Sequence, residues 1–149
     1  MSITGWIVGC LALVTLVLYF KNKRTPELGI DGGLLKPLSS KPNGVSTQAN
    51  DHKRVEPLPL KSTAEKTLIA IKAAVQAYGG ATTLQESKNY LRIVFATPTM
   101  KYRDDAEFYI DTAGGVVHFR SASRVGYSDM GLNRARYKKL AEHYASQAD

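Results

Sequence analysis

Residues 120–134 concentrate the side chains that could bind an anion. This segment reads RSASRVGYSDMGLNR and contains Arg, Ser, Asp and Asn at close spacing. Guanidinium groups form paired hydrogen bonds with carboxylates and phosphates, and the shorter polar side chains bond backbone N–H groups in turns and helix caps. We therefore predict the following ligand-binding candidates: Arg120, Ser121, Ser123, Arg124, Tyr127, Ser128, Asp129, Asn133 and Arg134.

The same segment could instead be a rigid loop with a purely structural role. Asp129 could pair with Arg124 or Arg134, while Tyr127 packs against the domain and Ser128 caps a turn. Networks of this kind are often structural, because a polar loop must satisfy its own backbone groups. The sequence leaves both interpretations open.

A third interpretation is a hydrolase or metal-dependent enzyme that uses Asp104, Asp105, Asp129 and His118. Carboxylates and imidazoles supply general acids, general bases and metal ligands. Two observations weigh against it. Asp104 and Asp105 are adjacent, so in a strand they would point to opposite faces, and no H-x-x-x-H, G-x-S-x-G, Walker or C-x-x-C motif is present. The sequence therefore favours a protein that is not an enzyme, with no metal and no cofactor.

The N-terminal segment predicts a membrane span. Residues 3–20 form an 18-residue run without charge, which as a helix would be about 27 Å long and would match the hydrocarbon core of a bilayer. Trp6, Tyr19 and Phe20 lie near its ends, and a basic flank of Lys21, Lys23 and Arg24 follows. A cleaved signal peptide, a lipoprotein signal at Cys10 and a buried core helix fit less well, because their flanks or polar faces are missing. We predict a single-pass anchor, residues 1–24, in contact with membrane lipid.

Charge and cysteine content exclude several classes of protein. The chain has 149 residues, a net charge of +7 and one cysteine, so it holds at most one ordinary domain beside the anchor and is not a disulfide scaffold. Without the basic flank of the anchor the net charge falls to +4, so the charge does not favour nucleic acid as a partner. The positive-inside rule favours a cytoplasmic domain.

The rest of the chain predicts an arm and a folded domain. Residues 25–61 hold five of the six prolines and no sustained period, which indicates a linker whose second half packs as an extended arm. Residues 62–149 predict a helix over 63–78, strands over 82–86, 89–97, 106–111 and 116–122, and a last helix with Asn133 as its N-cap. This order predicts a two-layer α+β domain, an antiparallel sheet of about four strands with two helices on one face, preceded by a single N-terminal transmembrane helix.

Alternation along the strands assigns the two faces of this sheet. One face is apolar and would pack against the helices: Leu91, Ile93, Phe95, Phe108, Ile110, Val117 and Phe119. The opposite face is polar and of mixed charge: Arg92, Glu107, Tyr109, His118 and Arg120. We expect this second face to be either solvent-exposed surface or part of a site.

Residues 120–134 resemble the signature of a bacterial and plastid family, domain of unknown function 1499, whose pattern is close to R-S-A-S-R-x-G-Y-S-D-x-G-x-N-R. The resemblance extends over residues 33–144, and we call residues 120–134 the signature segment. The family has no settled activity, and many members look exported, which conflicts with the positive-inside rule and leaves the membrane side open. The resemblance implies that relatives often carry a cysteine pair, of a kind that could form a disulfide, where this chain has Leu38 and Gly44.

The sequence thus predicts a membrane-anchored, non-catalytic binding or scaffold module. Its partner would be an anionic small molecule or a protein, recognised through the signature segment and the adjoining polar sheet face.

Overall fold

The computed structural model describes residues 2–149. The chain begins with helix α1, Ile3–Lys23, whose N-terminus is capped by the Ser2 hydroxyl accepting from the backbone N–H of Gly5. Its most apolar 18-residue window has a mean hydropathy of 2.2 and none of it is buried against the protein. Within residues 2–149, α1 is the one helix long and apolar enough to cross a membrane.

Two further helices belong to the folded domain. Helix α2, Ala64–Tyr78, begins where the Thr63 hydroxyl accepts from the N–H of Lys66, and it ends at Gly79, whose φ of +83° is in the left-handed region that favours glycine. Helix α3 spans Leu132–Ala145. The prediction that Asn133 caps this helix is wrong, because Asn133 lies inside the first turn and the carboxylate of Asp129 accepts from its N–H.

The sheet is larger than predicted. Its strands are β3 (Gly44–Ser46), β4 (Leu58–Pro59), β5 (Ala81–Ser87), β6 (Tyr90–Ala96), β7 (Arg103–Asp111) and β8 (Val116–Ser123), while β1 (Ile30–Asp31) and β2 (Leu34–Leu35) form a separate small ribbon. The order is β3-β8-β7-β6-β5, with β4 also paired to β8, and all pairings are antiparallel. Six strands replace the expected four, because the arm adds β3 and β4 along β8.

The helices lie on one face of the sheet, and the predicted apolar face is confirmed there. Its seven side chains from Leu91 to Phe119 are all buried, and they pack in one core with Ile71 of α2 and with Leu140 and Tyr144 of α3. Burial of apolar side chains on this scale is the main stabilising contribution to a domain of this size.

The opposite face of the sheet is covered rather than open. Residues 24–38, the first part of the segment between α1 and β3, run across it, and we call this stretch the covering segment. The backbone carbonyls of Pro26 and Lys36 in this segment accept hydrogen bonds from Arg92 and Arg120 of the sheet. The first half of the arm therefore packs on the domain as well as the second half.

Leu38 and Gly44, where the family resemblance places a cysteine pair, are neighbours in space. A Cβ atom built on Gly44 would lie 3.0 Å from Leu38 Cδ2, and 2.6 Å from the backbone oxygen of Ser121. The second distance is too short for a real side chain, so β3 can approach β8 this closely because position 44 is glycine.

Candidate functional site

The sheet face under the covering segment holds a cluster of buried charges, which we call the outer cluster. Its members are Tyr90, Arg92, Asp105, Glu107, Arg120 and Arg124. At its centre, Asp105 accepts from Arg92 Nη2 at 2.9 Å and from Arg124 Nε and Nη2 at 2.6 and 2.9 Å. Asp105 is 1% exposed, so one buried carboxylate neutralises part of the charge of two guanidinium groups.

Glu107 forms the second half of the outer cluster. It is fully buried and accepts from Tyr90 Oη at 2.7 Å and from Arg120 Nη1 at 3.3 Å. Burial raises the pKa of the Glu107 carboxyl, and burial together with the hydrogen bond to Glu107 raises the pKa of Tyr90. Burial also lowers the pKa of Arg120. Within the ion pair the partners oppose the effect of burial in part, since Arg120 lowers the pKa of Glu107 and Glu107 raises the pKa of Arg120.

Arg124 links this cluster to the end of α1. Its Nη1 atom donates to the backbone oxygens of Asn22 and Lys23, at 3.3 and 3.4 Å. These carbonyls belong to the last turn of α1, where backbone acceptors lack partners within the helix and the helix dipole favours a cation. The Arg124 side chain is 3% exposed, so almost all of it is buried within the protein.

Asn22 makes the reciprocal contact from the helix to the domain. Its amide nitrogen donates to the backbone oxygen of Lys101 at 2.8 Å, and its amide oxygen accepts from the N–H of Arg103 at 2.9 Å. Asn22 is the buried residue of α1. The helix is therefore attached at two places: its Asn22 side chain bonds the connection between β6 and β7, and its last backbone carbonyls bond Arg124.

A second group of polar side chains, the inner cluster, lies between the sheet and α3, and all of its members except the half-buried Asp129 are buried. Its members are Asp104, Ser121, Asp129, Asn133 and Arg136. Asp104 accepts from Arg136 Nη2 at 2.8 Å, and the Arg136 guanidinium lies 4.4 Å from the centre of the Phe95 ring. Asn133 is fully buried and bonds Ser121, Asp129 and Arg136.

The predicted ligand-binding residues are thus divided between two faces of the sheet. Arg120 and Arg124 belong to the outer cluster, and Ser121, Ser123, Asp129 and Asn133 lie at the inner cluster. Ser128 accepts from the N–H of Met130, and Tyr127 is exposed. Arg134 donates to the backbone oxygens of His52 and Arg54. The expected pairing of Asp129 with Arg124 or Arg134 is wrong, because Asp129 accepts from the start of α3 instead.

The residues of the predicted enzyme have separate partners. Asp104 and Asp105 lie on opposite faces, as their adjacency in a strand predicts, and each is paired with arginine. His118 lies 3.2 Å from the Thr47 hydroxyl and stacks on Tyr109, while Asp129 is at the N-terminus of α3. Among residues 2–149, no group of three or more His, Cys, Asp or Glu side chains is placed to hold a metal ion.

The sequence interpretation missed three residues of this arrangement. Arg136 follows Asn133 by three positions, and this spacing places both side chains on one face of a helix. The contact between them was therefore predictable from the sequence. Tyr90 lies two positions before Arg92 in the same strand, so the period of two already indicated that both side chains lie on the polar face. Asn22 carries no pattern beyond being an uncharged polar residue within the basic flank of the anchor.

Comparison with known proteins identifies a family whose function is unknown. No curated protein and no solved structure matches the chain. The family described as protein of unknown function (DUF1499) matches residues 34–143, which include every member of both clusters. These limits agree with the range of residues 33–144 over which the sequence resembles the family. The chain therefore belongs to the DUF1499 family of proteins of unknown function.

Proposed function

We propose that this protein is a membrane-anchored scaffold module without catalytic activity, in which Arg124 of the signature segment fixes the domain against the end of its spanning helix. The observation that carries this proposal is the double contact of Arg124, with Asp105 on one side and with the carbonyls of Asn22 and Lys23 on the other.

The covering segment supports the same function. A flexible tether would let the domain sample many orientations relative to its anchor. Here the chain leaving α1 is bonded to the sheet at Pro26 and again at Lys36, with the β1–β2 ribbon between them. A domain held this way presents one side to the membrane and the other side to the surrounding solution, which suits a scaffold.

Recognition of an anionic molecule or of a protein partner stays a prediction. The burial and internal pairing of Arg120 and Arg124 argue against these two as ligand-binding groups. Arg134 is the better candidate of the three, because its partners are neutral backbone carbonyls. It lines a hollow of about 150 Å³ with His52 and Lys53, and Asp129 also borders this hollow. The separate partners of Asp104, Asp105, Asp129 and His118 give no support to the enzyme hypothesis.

Replacing Asn22 by alanine tests the attachment of the helix. This change removes the acceptor of the Arg103 amide, so we expect exchange of that amide to accelerate by up to about tenfold, since one hydrogen bond contributes about 0.5–1.5 kcal/mol and 1.4 kcal/mol is a factor of ten. The measurement is amide hydrogen exchange by NMR on the full chain in lipid nanodiscs. Asn50→Ala, at an exposed asparagine of the arm, is the matched control. An Arg103 amide that exchanges freely in the parent chain would contradict the proposal.

A further inference from the structure

Apolar side chains of the folded domain are exposed mainly at one end of the sheet. In residues 24–149, eight large apolar side chains are exposed, and five of them lie in or next to two loops: Met100, Tyr102, Tyr127, Met130 and Leu132. The first loop connects β6 to β7, and the second is the middle of the signature segment. Met130 is 98% exposed and Tyr127 is 73% exposed. An apolar patch of this kind indicates an interaction surface.

This apolar patch adjoins the end of the spanning helix. A hollow of about 300 Å³ has an apolar lining formed by Leu18 of α1 together with Tyr102, Val125, Met130 and Leu132, and a polar lining that includes Asp104 and Asp129. Leu18 belongs to the uncharged run that ends at Phe20. At a rise of 1.5 Å per residue it lies about 4.5 Å before Lys21, the first charged residue. Side chains at the level of Leu18 therefore lie at the depth where hydrocarbon meets headgroups.

The signature segment holds Met130 in this outward position. Met130 has a φ of +53°, a conformation that is unfavourable for residues other than glycine, asparagine and aspartate. It is maintained by the Ser128 hydroxyl, which accepts from the N–H of Met130, and by the Asp129 carboxylate, which accepts from the N–H groups of Gly131 and Asn133. The polar residues of the signature segment thus present an apolar side chain at the tip of their loop.

Basic side chains surround the same end of the molecule. Lys21, Lys23 and Arg24 follow the apolar run of α1, and Lys101 is exposed between Met100 and Tyr102. Lys21 and Arg24 also line a hollow of about 430 Å³ with Lys36. Lys and Arg at this depth are attracted to anionic lipid headgroups. Aromatic residues with a polar tip, such as Tyr102 and Tyr127, favour the interface between headgroups and hydrocarbon.

We propose that the loop between β6 and β7 and the signature loop 126–131 contact the lipid bilayer beside α1, with Met100, Tyr102, Tyr127 and Met130 inserted at the interface and anionic lipids preferred. The occupant of the patch is lipid because the patch is continuous with the membrane-spanning helix and is rimmed by cations. This inference rests on the proposed attachment of the domain to α1. It gives the signature segment a membrane-facing role in addition to its internal contacts.

The test places a fluorescent label at the loop tip of the full chain in bilayers. Met130→Cys and Tyr127→Cys are each made in a Cys10→Ala background and labelled with an environment-sensitive dye. Ala113→Cys is the control, since Ala113 is exposed in the turn between β7 and β8, at the opposite end of strands about 27 Å long. We expect lipids that carry a shallow quencher to reduce the emission of the two loop labels and to leave that of the Ala113 label unchanged. The loss should be larger in vesicles with an added fraction of anionic lipid.

Two outcomes would overturn the inference. In the first, a quencher in water reaches the loop labels as readily as the Ala113 label, which would show that the loops do not touch the bilayer. In the second, the loop labels are shielded from both water and lipid quenchers, which would indicate contact with a second copy or another protein. A protected Arg103 amide in the same samples would show that the attachment to α1 holds although the lipid contact fails. An unprotected one would show that the attachment itself has failed.

Discussion

Replacing Asp105 by alanine should destabilise the domain by about 3–5 kcal/mol, because it leaves two buried guanidinium groups without their carboxylate. Asp105 pairs with both Arg92 and Arg124 on the face beneath the covering segment. Domains of this size have about 5–15 kcal/mol of total stability, so we expect this single change to remove a large fraction of it. The measurement is urea unfolding of the full chain in detergent, followed by circular dichroism.

Two further variants make the Asp105 result interpretable. Asp105→Asn keeps one acceptor oxygen, so its free energy of unfolding should lie between that of the parent chain and that of the alanine variant. Glu86→Ala is the control, because it breaks an ion pair with Lys72 at the surface, where such pairs contribute up to about 1 kcal/mol. If Asp105→Ala destabilises the chain no more than Glu86→Ala, the outer cluster does not hold the fold as described.

The second large effect is expected at Asp104, on the other face of the same strand. Asp104→Ala removes the carboxylate that pairs with Arg136 between the sheet and α3. We expect a loss of about 3–5 kcal/mol in the same unfolding measurement, since an uncompensated charge stays buried.

A double variant separates loss of charge pairing from loss of packing at this position. Asp104→Leu combined with Arg136→Met replaces the buried pair by apolar side chains, an exchange that is often neutral. The Arg136 guanidinium also lies over the Phe95 ring, and a methionine can retain part of that contact. We expect the double variant to recover most of the stability lost in Asp104→Ala. A double variant that is as unstable as the single one would rule out an unpaired charge as the cause.

The periodic part of the fold was predictable from the sequence. Alternation in β6, β7 and β8 places the apolar side chains against the helices, and it places Arg92, Glu107 and Arg120 together on the other face. The same rule separates Asp104 from Asp105. These predictions succeed because side chains of a strand alternate between faces whatever lies above them.

The non-periodic part of the fold was not predictable. Strands β3 and β4 have three and two residues, which is too short for a detectable period. The covering segment has no pattern of its own, so the sequence could not show that the polar face is buried. For the same reason, the sequence could not show that the predicted ligand-binding residues are divided between the two faces of the sheet. Arg120 and Arg124 have the residue type of a ligand site, but their partners come from distant positions such as Asn22 and Lys36.

The central claim, that the signature segment fixes the domain to the end of its anchor, is tested most directly by a distance between the two. Spin labels at Ala12 in α1 and at Ala113 in the β7–β8 turn, introduced as cysteines in a Cys10→Ala background, report that distance in nanodiscs by pulsed electron paramagnetic resonance. We expect one narrow distance distribution in the parent chain. It should broaden in Arg124→Ala, where Asp105 keeps Arg92 as a partner, and stay narrow in Arg134→Ala. A broad distribution in the parent chain would contradict the account, because it would mean that the domain moves freely on its anchor.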